Sequence, residues 1–120
     1  MEKRENYYKI HQKLLKDVML AIQNKYNDAK IFERHVGSFR YLKSNGVIKI
    51  NKKGMADLWM LYGGHHFEIE IKSGKAKQTK DQKKWEKIVN ECGSHYLVMR
   101  SVDDIELLDE FISPRVIVKI

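Results

Sequence analysis

Between about Glu5 and Tyr26, apolar residues recur at steps of three and four: Tyr7, Ile10, Leu14, Val18 and Ile22 mark one face of a long amphipathic helix. The period changes after Asn27-Asp28. Ile31 to Leu42 mixes β-branched and aromatic residues before the turn Ser44-Asn45-Gly46, and Val47-Ile48-Lys49-Ile50 reads as a short strand. Asn51 to Gly54 is a basic turn leading to a third extended run, Asp57 to Tyr62, so three successive antiparallel strands are expected. Gly63-Gly64 then joins Asp57-Leu58-Trp59-Met60-Leu61-Tyr62 to His65-His66-Phe67-Glu68-Ile69-Glu70-Ile71-Lys72. A glycine pair between two apolar runs predicts a tight hairpin, because both turn positions need positive φ.

Beyond Ser73-Gly74 comes a lysine-rich loop, and Thr79 is placed to cap a second helix whose stripe is Trp85, Ile88, Val89 and Cys92, with Gly93 as its stop. His95 to Arg100 is a further strand. A helix joins it to the strand ending at Lys72, so the two are expected to lie parallel by a right-handed crossover. Val102 to Ile112 reads as a third, acidic helix stopped by Ser113-Pro114, and Arg115 to Ile120 as an apolar strand that needs a partner, such as another subunit. The pattern predicts an α/β fold, a mixed central sheet flanked by helices, in one domain spanning 1–120.

Composition narrows the partners. The 120 residues carry 23 basic and 16 acidic side chains, a net charge of +7, which suits a polyanion such as nucleic acid but also suits a lysine-rich surface that serves solubility alone. Clustering favours the first: Lys72, Lys75, Lys77, Lys80, Lys83, Lys84 and Lys87 follow one another with only Asp81 and Glu86 as interspersed acids. A single cysteine, Cys92, excludes an intramolecular disulfide framework and a cysteine-rich zinc site, and is expected to pack as a small apolar residue. Neither a secretory signal nor a continuous apolar span is present, so an intracellular, cytoplasmic protein that does not enter a membrane is expected.

The hairpin register carries the chemistry. A turn centred on Gly63-Gly64 sets Asp57 opposite Glu70, with side chains roughly 5 Å apart, and the period of two puts Lys72 on the same face. Two opposed carboxylates repel unless a cation lies between them, and hard oxygens are what Mg2+ prefers, with the Ile71 carbonyl as a further ligand. A lysine alongside suits a negatively charged substrate, and phosphodiester hydrolysis uses all three groups. Glu70-Ile71-Lys72 taken alone also fits a same-face ion pair on a solvated strand. His11 lies inside the first helix's stripe and Asp17 at its edge; His11 reads as a hydrogen-bonded histidine on a packing face or as a neighbour of the site. His65 and His66 point to opposite faces of a strand and are expected to stand in solvent at the hairpin tip.

The order Gly54-Met55-Ala56-Asp57, Glu70-Ile71-Lys72, Gln82 with Trp85, Gly93 and a strand ending Arg100-Ser101 resembles the VRR-NUC family, virus-type replication-repair nucleases of the PD-(D/E)XK superfamily. Upstream, Arg34 and Gly37-Ser38-Phe39-Arg40 are similar to the stretch that precedes the family's first catalytic acid. The resemblance implies a restriction-endonuclease-like core and a Mg2+-dependent deoxyribonuclease, with Mn2+ able to substitute and no nucleotide cofactor. It makes Asp57 and Glu70 the metal-binding acids, Lys72 the catalytic lysine and Gln82 a glutamine that helps set the site. From the residues alone Thr79-Lys80-Asp81-Gln82 is a capping box, and one amide conformation is not expected to fill both roles. Ala56 stands where the family usually has proline, and His11, with Asp17 and Glu5 as rivals, stands where relatives carry a metal-site glutamate.

Lys75, Lys77, Lys80, Lys83, Lys84, Arg34 and Arg40 are the residues expected to contact nucleic acid. Branched or structured DNA is the implied substrate and a homodimer the implied assembly. A Holliday-junction resolvase, a restriction-type endonuclease and a non-catalytic nucleic-acid-binding module are the competing readings.

Overall fold

The computed structural model describes residues 2–34, 37–40, 47–50 and 53–113, and of 2–5, 37–40 and 47–50 the backbone alone. The turn at Ser44-Asn45-Gly46, the Arg40 and Glu5 side chains and the strand expected at Arg115 to Ile120 lie outside the described residues. Helix α1 (Glu2–Lys25) leads into β1 (Lys30–Glu33); β2 (Gly37–Arg40) and β3 (Val47–Ile50) follow, then β4 (Leu58–Tyr62), β5 (His65–Ile71), α2 (Lys80–Glu91), β6 (His95–Met99) and a 3-10 helix (Val102–Glu110). The central sheet is mixed, ordered β1-β4-β5-β6, with β5 and β6 parallel and the other neighbours antiparallel. Among the described residues, no helix is long and apolar enough to cross a membrane.

The hairpin has the expected register. Leu58 pairs with Ile69 and Tyr62 with His65, around Gly63 and Gly64 at φ 54° and 85°. The three expected runs become four strands: the first divides into β1 and β2, β2 pairs antiparallel with β3 as expected but in a separate two-stranded sheet, and β4 pairs with β1 rather than β3. Local pattern identified extended segments, but which segment becomes a neighbour depends on what packs beside it.

Helix α1 lies over the face formed by Phe67, Ile69 and Ile71, burying Leu15, Val18, Ile22 and Tyr26 with Leu58, Met60 and Met99. The buried stripe therefore sits nearer the C-terminus than expected, and Tyr7 and Ile10 are exposed. Length explains this: 24 residues span about 36 Å of helix, whereas the seven of β5 reach only about 23 Å. The N-terminal turns overhang. On the opposite face α2 packs Val89 and Trp85 against Ala56, Tyr96 and Val98. Cys92, expected to be packed, is exposed at the C-cap, just before Gly93 at φ 81°. The acidic segment expected to be a third helix is helical, of the 3-10 type. Val102, Ile105 and Leu108 fall at every third residue, so the tighter helix aligns all three on one face, which packs against the main core.

Candidate metal and phosphate site

Glu68, Glu70 and Lys72 share one side of β5, the side covered by α2, and all three are buried. Glu70 is 3% exposed; its Oε1 accepts from Gln82 Nε2 at 3.2 Å, and its Oε2 is buried with no hydrogen-bond partner. Burial pushes the Glu70 carboxyl up to about 9 from its ordinary 4.5, the adjacent Asp57 charge pushes it further in the same direction, and Lys72 pulls partly against both. A carboxyl group in this state holds a proton, which it can share with Asp57 through a hydrogen bond.

Asp57 stands in a bend one residue before β4, just beyond the Leu58–Ile69 pair that ends the ladder, and its charge acts on Glu70. Its Oδ2 accepts from the Ile71 backbone N–H at 2.9 Å, and its carbonyl accepts from the Arg34 N–H at 2.7 Å. From α1, His11 Nε2 lies 3.0 Å from the Ile71 carbonyl and 3.5 Å from Asp57 Oδ2. Both neighbours of that nitrogen are acceptors, so Nε2 carries the proton and His11 donates. The structure thus brings His11 to the acids as a hydrogen-bond donor that ties α1 to the end of β5. Asp17, the rival on α1, pairs instead with Lys13 at 2.6 Å.

Gln82 fills both roles that were expected to exclude each other. Thr79 Oγ1 accepts from the Gln82 N–H at 3.2 Å, Gln82 Oε1 accepts from the Thr79 N–H at 2.8 Å, and Gln82 Nε2 remains for Glu70. An amide has an acceptor at one end and donors at the other, so a single conformation serves the cap and the acid. Gly54 makes this approach possible. It has φ +90°, and a Cβ there would sit 2.5 Å from the Asp81 backbone, so only glycine lets the Gly54-Met55 turn lie against the first turn of α2.

Arg34 has a different place from the DNA contact expected of it. Its guanidinium forks onto both oxygens of Glu68 and also donates to the Ala56 carbonyl at 3.2 Å. Glu68 is fully buried and further accepts from Trp85 Nε1 at 2.8 Å, with His66 Nε2 at 3.0 Å. This charge network fixes the backbone just ahead of Asp57. Glu68 was missed in the sequence, although an acid on the same face as Glu70 and Lys72 signals a buried partner. His65 and His66 are half-buried: His65 Nδ1 lies 3.0 Å from His95 Nε2 and His66 Nδ1 3.2 Å from Ser94 Oγ. The tight turn puts both histidines in β5, where His95 of β6 and Ser94 just before it are their neighbours.

Asp57, Glu70 and Gln82 line a cleft of about 460 Å³ whose other walls are Tyr8, Gln12 and Leu15 from α1 and Glu33, Arg34, Gly54 and Met55. Lys75, Lys77, Lys80, Lys83 and Lys84 are exposed along the loop and helix that follow the acids. No protein-family model matches the chain, and no curated protein matches it.

Proposed function

We propose that this protein is a Mg2+-dependent nuclease with a restriction-endonuclease-like core of the VRR-NUC type, hydrolysing phosphodiester bonds in structured DNA. The observation that carries this reading is the Glu70 carboxylate, buried beside Asp57 at a cleft with one oxygen unpartnered. Structural acids have both oxygens met by donors, as Glu68 does; an acid with one oxygen that meets no donor, next to a second carboxylate, fits a site built for a cation. The element order, with one helix ahead of an antiparallel β1-β4-β5 set and α2 leading to a parallel β6, also supports it.

Among the described residues, no group of three or more His, Cys, Asp or Glu side chains is placed to hold a metal ion by itself. Mg2+ asks for less, since one or two carboxylates with water and substrate oxygens complete its octahedron. Asp57 and Glu70 would hold it, with the Ile71 carbonyl in reach. Bound there, it would lower the pKa of a water and offset charge on the phosphate. The chain's own groups do the rest. Gln82 orients Glu70, His11 holds the Ile71 carbonyl, and Lys72 offers its ammonium to the phosphate or to the attacking water. The exposed lysines draw the polyanion to the cleft, and a homodimer would present two clefts to a branched substrate.

The test is a panel of labelled single strands, duplexes, flaps and four-way junctions with Mg2+ or Mn2+. Cleavage by the wild type that disappears in Glu70→Ala while DNA binding persists is expected. Salt-sensitive binding with no cleavage of any member would leave only a nucleic-acid-binding module.

A further inference from the structure

Facing the acids, the cleft has a wall that the hydrolytic chemistry does not use. Tyr8, Gln12 and Leu15 are spaced four and three apart, so they share one side of α1 and all line the cleft. Leu15 is core, Gln12 is half-buried, and Tyr8 is 65% exposed. This part of α1 overhangs the sheet, so Tyr8 is not there to complete the interior. The wall also carries no charge, in contrast to the lysines beyond the acids.

The cleft itself links this wall to the acids: Tyr8 and Gln12 line it together with Asp57 and Glu70, so a nucleotide whose phosphate meets the acids can lay its base against the wall. An aromatic ring there is a platform for a nucleobase, and the Gln12 amide beside it offers both a donor and an acceptor to a base edge. Stacking on a side chain needs a base with a free face, and inside a duplex both faces are taken by neighbouring pairs.

We propose that Tyr8 and Gln12 form a subsite for one unpaired nucleobase adjoining the hydrolysed phosphate, which makes strands with unpaired nucleotides, such as flaps and frayed ends, the substrate. The subsite rests on the nuclease reading for its role in turnover, though not for its binding.

The experiment pairs turnover with stacking. Steady-state cleavage of a flap and of a blunt duplex in Mg2+ is compared for wild type, Tyr8→Ala and Tyr8→Phe. Quenching of 2-aminopurine at successive positions of the same flap is read in Ca2+. In Tyr8→Ala, KM for the flap rises about 10- to 100-fold with kcat nearly unchanged, and quenching at one position disappears. Tyr8→Phe keeps both. The salt dependence of flap binding has the same slope in wild type and Tyr8→Ala, because stacking releases no counterions. Equal KM and equal quenching in Tyr8→Ala, or equal kcat/KM on flap and blunt duplex, overturns the subsite. Tyr8-dependent quenching without cleavage by the wild type would retain the subsite and remove the nuclease reading.

Discussion

Glu70 ties stability to pH. Its carboxyl titrates near 9 in the fold, against 4.5 in the unfolded chain, so between these values the folded protein keeps a proton that the unfolded chain has lost. The stability of the metal-free protein therefore declines as pH rises through that window, and the loss is complete above about pH 9. Thermal melts in EDTA across the window should show this decline, a shallower one in Glu70→Gln, and recovery of the wild type at its alkaline end on adding Mg2+. Calorimetry should find no Mg2+ uptake by Glu70→Gln. A wild-type profile as flat as that of the variant would contradict the burial of this charge. Asp57, Glu70 and Lys72 were legible as a set because a glycine pair dictates register by counting. The second function of Gln82 was not, since the direction of its amide depends on where Glu70 lies.

Elements hold these residues at working distance, and two contacts between elements bear most of that task. Gly54 lets its turn rest on the Asp81 backbone, so Gly54→Ala combines an unfavourable positive φ with a clash. A loss of about 2 kcal/mol or more in urea unfolding is expected, with weaker Mg2+ affinity because Asp57 and Gln82 part. Arg34 is 9% exposed against a fully buried Glu68, and Arg34→Met would leave that carboxylate without its counter-charge. The expected cost is about 3–5 kcal/mol by the same measurement. The double variant Arg34→Met/Glu68→Met should recover much of it, whereas a surface pair would show almost no effect in either protein. The two-residue hairpin, the capping box and the parallel return strand were legible because each depends on short-range chemistry. The pairing of β1 with β4 across the intervening β2–β3 pair was not, because edge contacts leave no local signal.

For the whole molecule, the net charge of +7 acts through its distribution. Lys83 and Lys84 are exposed on α2 just after Gln82, and Lys83→Ala/Lys84→Ala should weaken DNA binding and lower the slope of log affinity against log salt by about 1 per lysine removed. Thermal stability should hardly change, as solvated lysines contribute little to the fold. An unchanged salt slope would place the DNA elsewhere on the surface. A mass twice the chain's 14.2 kDa in light scattering is the result expected for the proposed homodimer.

What the chain determined unaided was periodic or local: helix and strand type, the register of one hairpin, a cap, and through these the approach of Asp57, Glu70 and Lys72. Turn geometry and side-chain alternation act over a few residues, so they survive in the order of letters. Tertiary structure alone decided that Arg34 serves Glu68, that His11 reaches the Ile71 carbonyl, that His95 meets His65, and that Tyr8 overhangs the cleft. These are contacts between distant segments, selected by how helices and sheet exclude water together, and no spacing within a segment encodes them.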